Sequence, residues 1–180
     1  MFQLPRFRLA VFAILALVAF AALPAAATAA APERFVFEVD ETFTDEFLTE
    51  VCGFEVTTTV TGTVRGVSFV DEEGNLVREI VQVNINGTFA ANGNVVPFIT
   101  RQAVRATLHP DGSQTVQLTG ILGRAVVPGQ GLVGSTIGNF LVTVSGEDEF
   151  TFEMIGGRDD AEAFFGSPGE PGPLCDLLAP

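Results

Sequence analysis

Between Val81 and Phe89 the chain alternates apolar and polar side chains almost without a break: Val81-Gln82-Val83-Asn84-Ile85-Asn86-Gly87-Thr88-Phe89. Successive side chains of a β-strand point to opposite faces, so the stretch predicts a strand with one dry face and one wet face. Val81, Val83, Ile85 and Phe89 are expected to line a core, and Gln82, Asn84, Asn86 and Thr88 to meet water.

The same rhythm recurs along the chain. Phe35, Phe37 and Val39 alternate with Val36, Glu38 and Asp40 in a first strand, and the acidic segment from Thr42 to Val51 reads as a loop or a short helical turn. Phe54 to Val70 is a long strand with Phe54, Val56, Val60 and Val64 on one parity. Beyond Gly66 the apolar parity moves to Val67 and Phe69, which predicts a β-bulge beside that glycine. Turn composition follows at Asp71–Asn75, Asn92-Gly93-Asn94, His109-Pro110-Asp111-Gly112, Pro128-Gly129-Gln130-Gly131 and Gly146-Glu147-Asp148. Between these turns run strands carrying Val96 to Leu108, then Val116, Leu118 and Leu122, then Phe140, Val142 and Val144, and last Phe150, Phe152 and Met154. Short connections make neighbours antiparallel. The expected fold is all-β: an up-and-down meander of about seven or eight long strands closing into a barrel, with an irregular, disulfide-tethered C-terminal tail over 156–180.

Residues 1–29 read as a secretory signal peptide. Arg6 and Arg8 precede the apolar run Leu9–Leu23, and Ala27-Thr28-Ala29 is a small-x-small cleavage pattern. The remainder, 30–180, is expected to be one domain, secreted to the extracellular side and free of the membrane. An outer-membrane barrel would carry aromatic girdles, and this chain has no Trp and no Tyr. The formal net charge of −13 disfavours nucleic acid and anionic lipid as partners. All nine basic residues are Arg, which excludes Schiff-base chemistry and a lysine general base.

Cys52 and Cys175 are the only cysteines. An even count in an exported chain predicts a disulfide. His109 has no second His to join it, so neither a catalytic centre nor a metal site is expected, and no cofactor. The acidic clusters Asp71-Glu72-Glu73 and Glu147-Asp148-Glu149 lack the spacing of a calcium loop and read as solvated turns.

The site candidates are polar residues on the apolar parity. Glu79 shares parity with Val81, Gln102 with Phe98 and Val104, and Arg124 with Leu118 and Leu122. A buried Arg124 would need Glu79 or a ligand carboxylate as partner. A bulge at Gly120 or Gly123 would instead turn it outward. With Phe89, Phe98 and Phe140, these residues would form a ligand site in a barrel mouth.

The motifs Cys52-Gly53-Phe54, His109-Pro110-Asp111-Gly112, Pro128-Gly129-Gln130-Gly131 and Cys175-Asp176-Leu177-Leu178 resemble those of small secreted bacterial β-barrel proteins of unknown function. More distantly the layout is similar to lipocalin-like and allene oxide cyclase-like barrels. The function expected of such a barrel is that of a non-catalytic binding module, holding a small apolar or amphipathic ligand in its mouth. The alternatives are a structural or protein-interaction barrel with a filled core, and a cyclase- or isomerase-like enzyme. No catalytic residue is carried over from the cyclases, because no matching motif is present.

Overall fold

The computed structural model describes residues 31–127, 129–145 and 149–180. The expected export signal, the first residue of the Pro128 turn and the turn at 146–148 lie outside them. Seven long strands follow one another: β1 (Glu33–Thr44), β2 (Thr57–Val70), β3 (Leu76–Ala91), β4 (Asn94–Leu108), β5 (Gln114–Val127), β6 (Gly131–Ser145) and β7 (Glu149–Asp159). Each pairs antiparallel with the next in a single sheet of order β1 to β7. The β3–β4 turn shows how the chain reverses so tightly. Asn92 and Gly93 have φ of 53° and 83°, the doubly positive pattern whose twist matches the flanking strands.

The inner face is set by cross-strand register. Val64 lies opposite Val83, Val83 opposite Gln102, Leu118 opposite both Val104 and Phe140, and Val142 opposite Phe152. These and neighbouring side chains form one apolar cluster drawn from all seven strands. Leu118 is 1% exposed and Phe140 0%, yet among the described residues no second layer lies over this half of the sheet. One face of a single sheet is buried in this way only if the sheet curls over itself. Bulges supply the bend: the register shifts at Phe69/Val70, Ile121/Gly123, Ala125/Val126 and Asn139/Phe140. At Gly120, with φ of +121°, a Cβ would lie 2.5 Å from the Arg101 carbonyl oxygen, so β4 and β5 approach there as only a glycine permits. Among the described residues no ladder joins β1 to β7.

A second apolar cluster closes one end of the sheet. Three short helices contribute to it: α1 (Glu46–Cys52), α2 (Ala161–Phe165) and α3 (Pro173–Leu178). Leu48, Phe164, Leu174 and Leu178 pack there against Val56, Phe89, Val96 and Ala125. Asp45 starts α1 by accepting from the Leu48 N–H at 3.0 Å, and it also takes the Thr58 hydroxyl at 3.2 Å, which ties the helix to β2. Gly53 ends α1 with φ of 73°. The Cys52–Cys175 disulfide joins α1 to α3 across a sequence separation of 123. Asn92 and Asn94 donate to the carbonyls of Leu178 and Ala179, so the β3–β4 hairpin also holds the C-terminus.

The segment from Thr42, read as a loop or a short helical turn, forms the end of β1 and then a short capped helix, so the helical reading holds over Glu46–Cys52. Two expectations are corrected. The strand from Phe54 starts at Thr57 and has no bulge at Gly66, whose pairings to β1 and β3 run through unbroken. The tail expected to be irregular is built: β7 continues to Asp159, α2 and α3 follow, and between them β8 (Gly166–Ser167) pairs with β9 (Glu170–Pro171).

Candidate functional site

The polar residues on the inner face separate into distinct places. Towards the end opposite the helices, Ser68 and Glu79 face each other across β2 and β3. The Ser68 hydroxyl donates to Glu79 Oε1 at 2.9 Å, and both residues are buried. Burial raises the Glu79 pKa above its ordinary value, and the Ser68 hydrogen bond works against that rise. Glu79 does point inward, and its partner is a hydroxyl rather than an arginine.

Gln102 sits at the waist between the two apolar clusters. It is 7% exposed, lies opposite Val83 on β3 and Gly120 on β5, and Gly120 in turn lies opposite Gly138 on β6. Its Oε1 is buried and accepts no hydrogen bond among the described residues. An amide oxygen stripped of water and left without a donor is costly, of order 1–3 kcal/mol. The two glycines beside it place no side chain on that row. Thr100, next along the inner face, is already satisfied: its hydroxyl donates to the Leu122 carbonyl at 2.8 Å.

Of the two readings of Arg124, the inward one is corrected and the outward one, turned by a bulge, holds. β5 carries one extra residue, Leu122, between the pairs Arg101–Ile121 and Ile99–Arg124. The bulge shifts the parity, so Ala125 points in and Arg124 lies exposed on the outer face. The Thr100 hydroxyl satisfies the carbonyl that the bulge frees. Arg124 and Glu79 therefore stand on opposite faces and cannot pair.

The three phenylalanines fill the core. Phe89 and Phe98 stack with ring centroids 4.5 Å apart at the helix-closed end. The Phe98 ring occupies the space over Gly87, where a Cβ would come within 2.2 Å of it. Phe140 lies in the other cluster, 5.4 Å from the Phe152 ring. Glu79, Gln102 and the Phe89–Phe98 pair thus share a face but are spread along it.

The remaining motifs are built as turns. His109 is exposed and hydrogen-bonds the Thr115 hydroxyl at 2.9 Å. Asp71 accepts from the Asn75 side chain and from the Asn75 and Glu73 N–H groups, which lowers its pKa. Among the described residues no group of three or more His, Cys, Asp or Glu is arranged to hold a metal ion, and no helix is long and apolar enough to cross a membrane.

Sequence reasoning missed Ser68, because the supposed bulge at Gly66 placed it outside. The turn at Asp71–Asn75 carried the signal, since a short turn sets Ser68 against Glu79. It also gave no role to an outer depression of about 230 Å³ lined by Arg65, Gln82, Asn84, Arg101 and Ala103, with Val83 and Gln102 beneath. Neither a family model, nor a curated protein, nor a solved structure matches this chain.

Proposed function

We propose that this chain is an exported, non-catalytic binding module whose curled sheet closes as a barrel in the lipocalin-like manner and holds a small amphipathic ligand on its inner face. The single observation that carries the reading is Gln102 Oε1, a buried acceptor without a donor, beside the side-chain-free row of Gly120 and Gly138. A ligand O–H or N–H supplies the missing donor, and its apolar body packs among the flanking Val83, Ile85 and Leu122 side chains. The disulfide fits an oxidising compartment outside the cytoplasm, which supports export.

Native mass spectrometry of the exported protein tests this. The wild type is expected to carry a bound small molecule, and Gln102→Leu to lose it while keeping its fold. A wild type without adduct, or an adduct equally occupied in Gln102→Leu, overturns the proposal. A second reading, an interaction barrel with a filled core, is favoured by the complete burial of Phe140 and Leu118. It predicts no adduct in either protein.

A further inference from the structure

Charge is segregated by face. Strands β2 to β6 contain a single carboxylate, Glu79, and it is buried on the inner side. The same strands contain five arginines: Arg65, Arg78, Arg101, Arg105 and Arg124. Cross-strand register places all five on the outer face. In a chain of net charge −13, the negative charge is therefore carried by the two outer strands β1 and β7, the turns, the helices and the tail. The middle of the outer face thus carries arginines and no carboxylate, among neutral polar side chains and apolar ones such as Ile80, Ile99 and Ile121.

Two of these arginines border the outer depression. Arg65 on β2 is opposite Gln82 on β3, and Gln82 is opposite Ala103 on β4. Asn84, two residues along β3, is opposite Arg101. Ala103, flanked by Gln82 and by Thr119 on β5, is the short side chain in its row, and its lack of bulk opens the hollow. Two strand spacings and a two-residue offset along the strands set Arg65 and Arg101 roughly 12 Å apart, within reach of both long side chains.

Both guanidiniums are held in place by neutral acceptors. Arg65 Nε donates to Gln82 Oε1 at 2.9 Å. Arg101 donates from Nη2 to Asn86 Oδ1 at 2.7 Å and from Nη1 to the Thr100 carbonyl at 2.8 Å and the Ile85 carbonyl. A guanidinium has five N–H donors, so about four remain on Arg65 and about two on Arg101. Among the described residues no carboxylate lies in ion-pair range of either. The nearest outward acid on β1 is Glu38, opposite Thr63, whose hydroxyl donates to it at 3.3 Å.

We propose that the outer face of β2–β4 is a second binding site, beyond the interior one, for a small ligand bearing an oxyanion group seated between Arg65 and Arg101 over Ala103. Fixed, uncompensated guanidinium donors recognise carboxylate, sulfate or phosphate through charge-assisted hydrogen bonds. Asn84 and Gln82 supply neutral hydrogen bonds to the remainder of the ligand. A small ligand fits better than a long polyanion, because an extended chain would run onto Glu38 and Asp40 of β1. No Trp or Tyr offers a stacking platform, so hydrogen bonding and charge carry the recognition.

The test is ¹⁵N NMR of the full chain, following the arginine Nε–Hε signals while sodium sulfate or sodium glucuronate replaces chloride at constant ionic strength. Saturable shifts confined to Arg65 and Arg101, with Arg34 and Arg158 unmoved, are expected. Arg65→Gln is expected to weaken binding at least tenfold. Ala103→Leu keeps every charge but fills the hollow, and is expected to abolish saturation. Saturation by sulfate alone assigns a tetrahedral oxyanion, and by glucuronate alone a carboxylate. Saturation by neither, non-saturating shifts shared by all arginines, or saturation that survives Ala103→Leu overturns the proposal.

Discussion

Replacing both cysteines, Cys52→Ala with Cys175→Ala, is expected to be among the most destabilising changes that leave the native packing in place. The bond joins residues 123 apart. In the chain-entropy treatment, a closed loop of that size removes about 16 cal/mol/K from the unfolded ensemble, or about 5 kcal/mol at 25 °C. The native state has independent means of keeping the helices docked. Leu48, Leu174 and Leu178 are completely buried in one cluster, and Asn92 and Asn94 grip the last carbonyls. The loss therefore falls on the unfolded side. The assay is urea unfolding followed by far-UV circular dichroism, because a chain without Trp or Tyr gives little intrinsic fluorescence. With an m-value of about 2 kcal/mol/M, the midpoint is expected to fall by roughly 2–2.5 M. The amide spectrum of the folded variant should match the wild type except around α1 and α3. A midpoint shift below about 0.5 M at unchanged m refutes the loop-entropy reasoning. A large shift accompanied by loss of the α3 amide signals refutes the claim that packing and the Asn92 and Asn94 hydrogen bonds hold the tail without the disulfide.

Glu79 gives a pH signature. Its folded pKa is raised by burial above the ordinary value of 4.5, so between those two values the native state binds more protons than the unfolded one. Stability then falls as pH rises through that window and is flat with respect to Glu79 below it. Glu79→Gln keeps an acceptor for Ser68 and removes the charge, so its stability advantage over wild type is expected to grow from acid to neutral pH in parallel urea titrations; an advantage independent of pH contradicts this. Gly120→Ala forces a Cβ against the Arg101 carbonyl at a positive φ and is expected to cost about 2 kcal/mol or more. A thermal midpoint equal to wild type would remove the kink from the account of how the sheet curls.

The strand pattern was legible wherever the ladder runs without interruption. Val81–Phe89 alternates in the structure as it does in the sequence: Val81, Val83 and Phe89 are buried, while Gln82 and Asn86 are exposed. The Asn92-Gly93 turn and the Cys52–Cys175 pair were also legible, because each depends on local chemistry or on a count of two. The helical plug was legible only in part, through the short helical turn read as one alternative for Thr42–Val51. α1 and α3 span 7 and 6 residues, too short to show a period, and they exist because Leu48 and Leu178 have a sheet end to cover rather than because isolated helices of that length are stable.

Of the two glycines at which a bulge was considered, Gly66 was misread, whereas the bulge near Gly123 was one of two readings and is present. At Gly66 the apolar pair Val67 and Phe69 suggested a parity shift, since hydrophobicity was taken as the guide to the inside. The structure keeps parity and turns Ser68 inward, because Glu79 on the next strand is buried and needs a donor. Phe69 is left on the outer face, where the Arg78 guanidinium lies 5.7 Å from its ring centroid. At Gly123 unbroken parity would have buried Arg124, and here the bulge at Leu122 intervenes. In both places the polar group decides: a buried carboxylate draws in a serine, and a guanidinium without a buried anion is turned out to water. Hydrophobic alternation therefore locates the faces of these strands, whereas the hydrogen-bonding needs of the few ionisable residues determine which glycine carries the bulge.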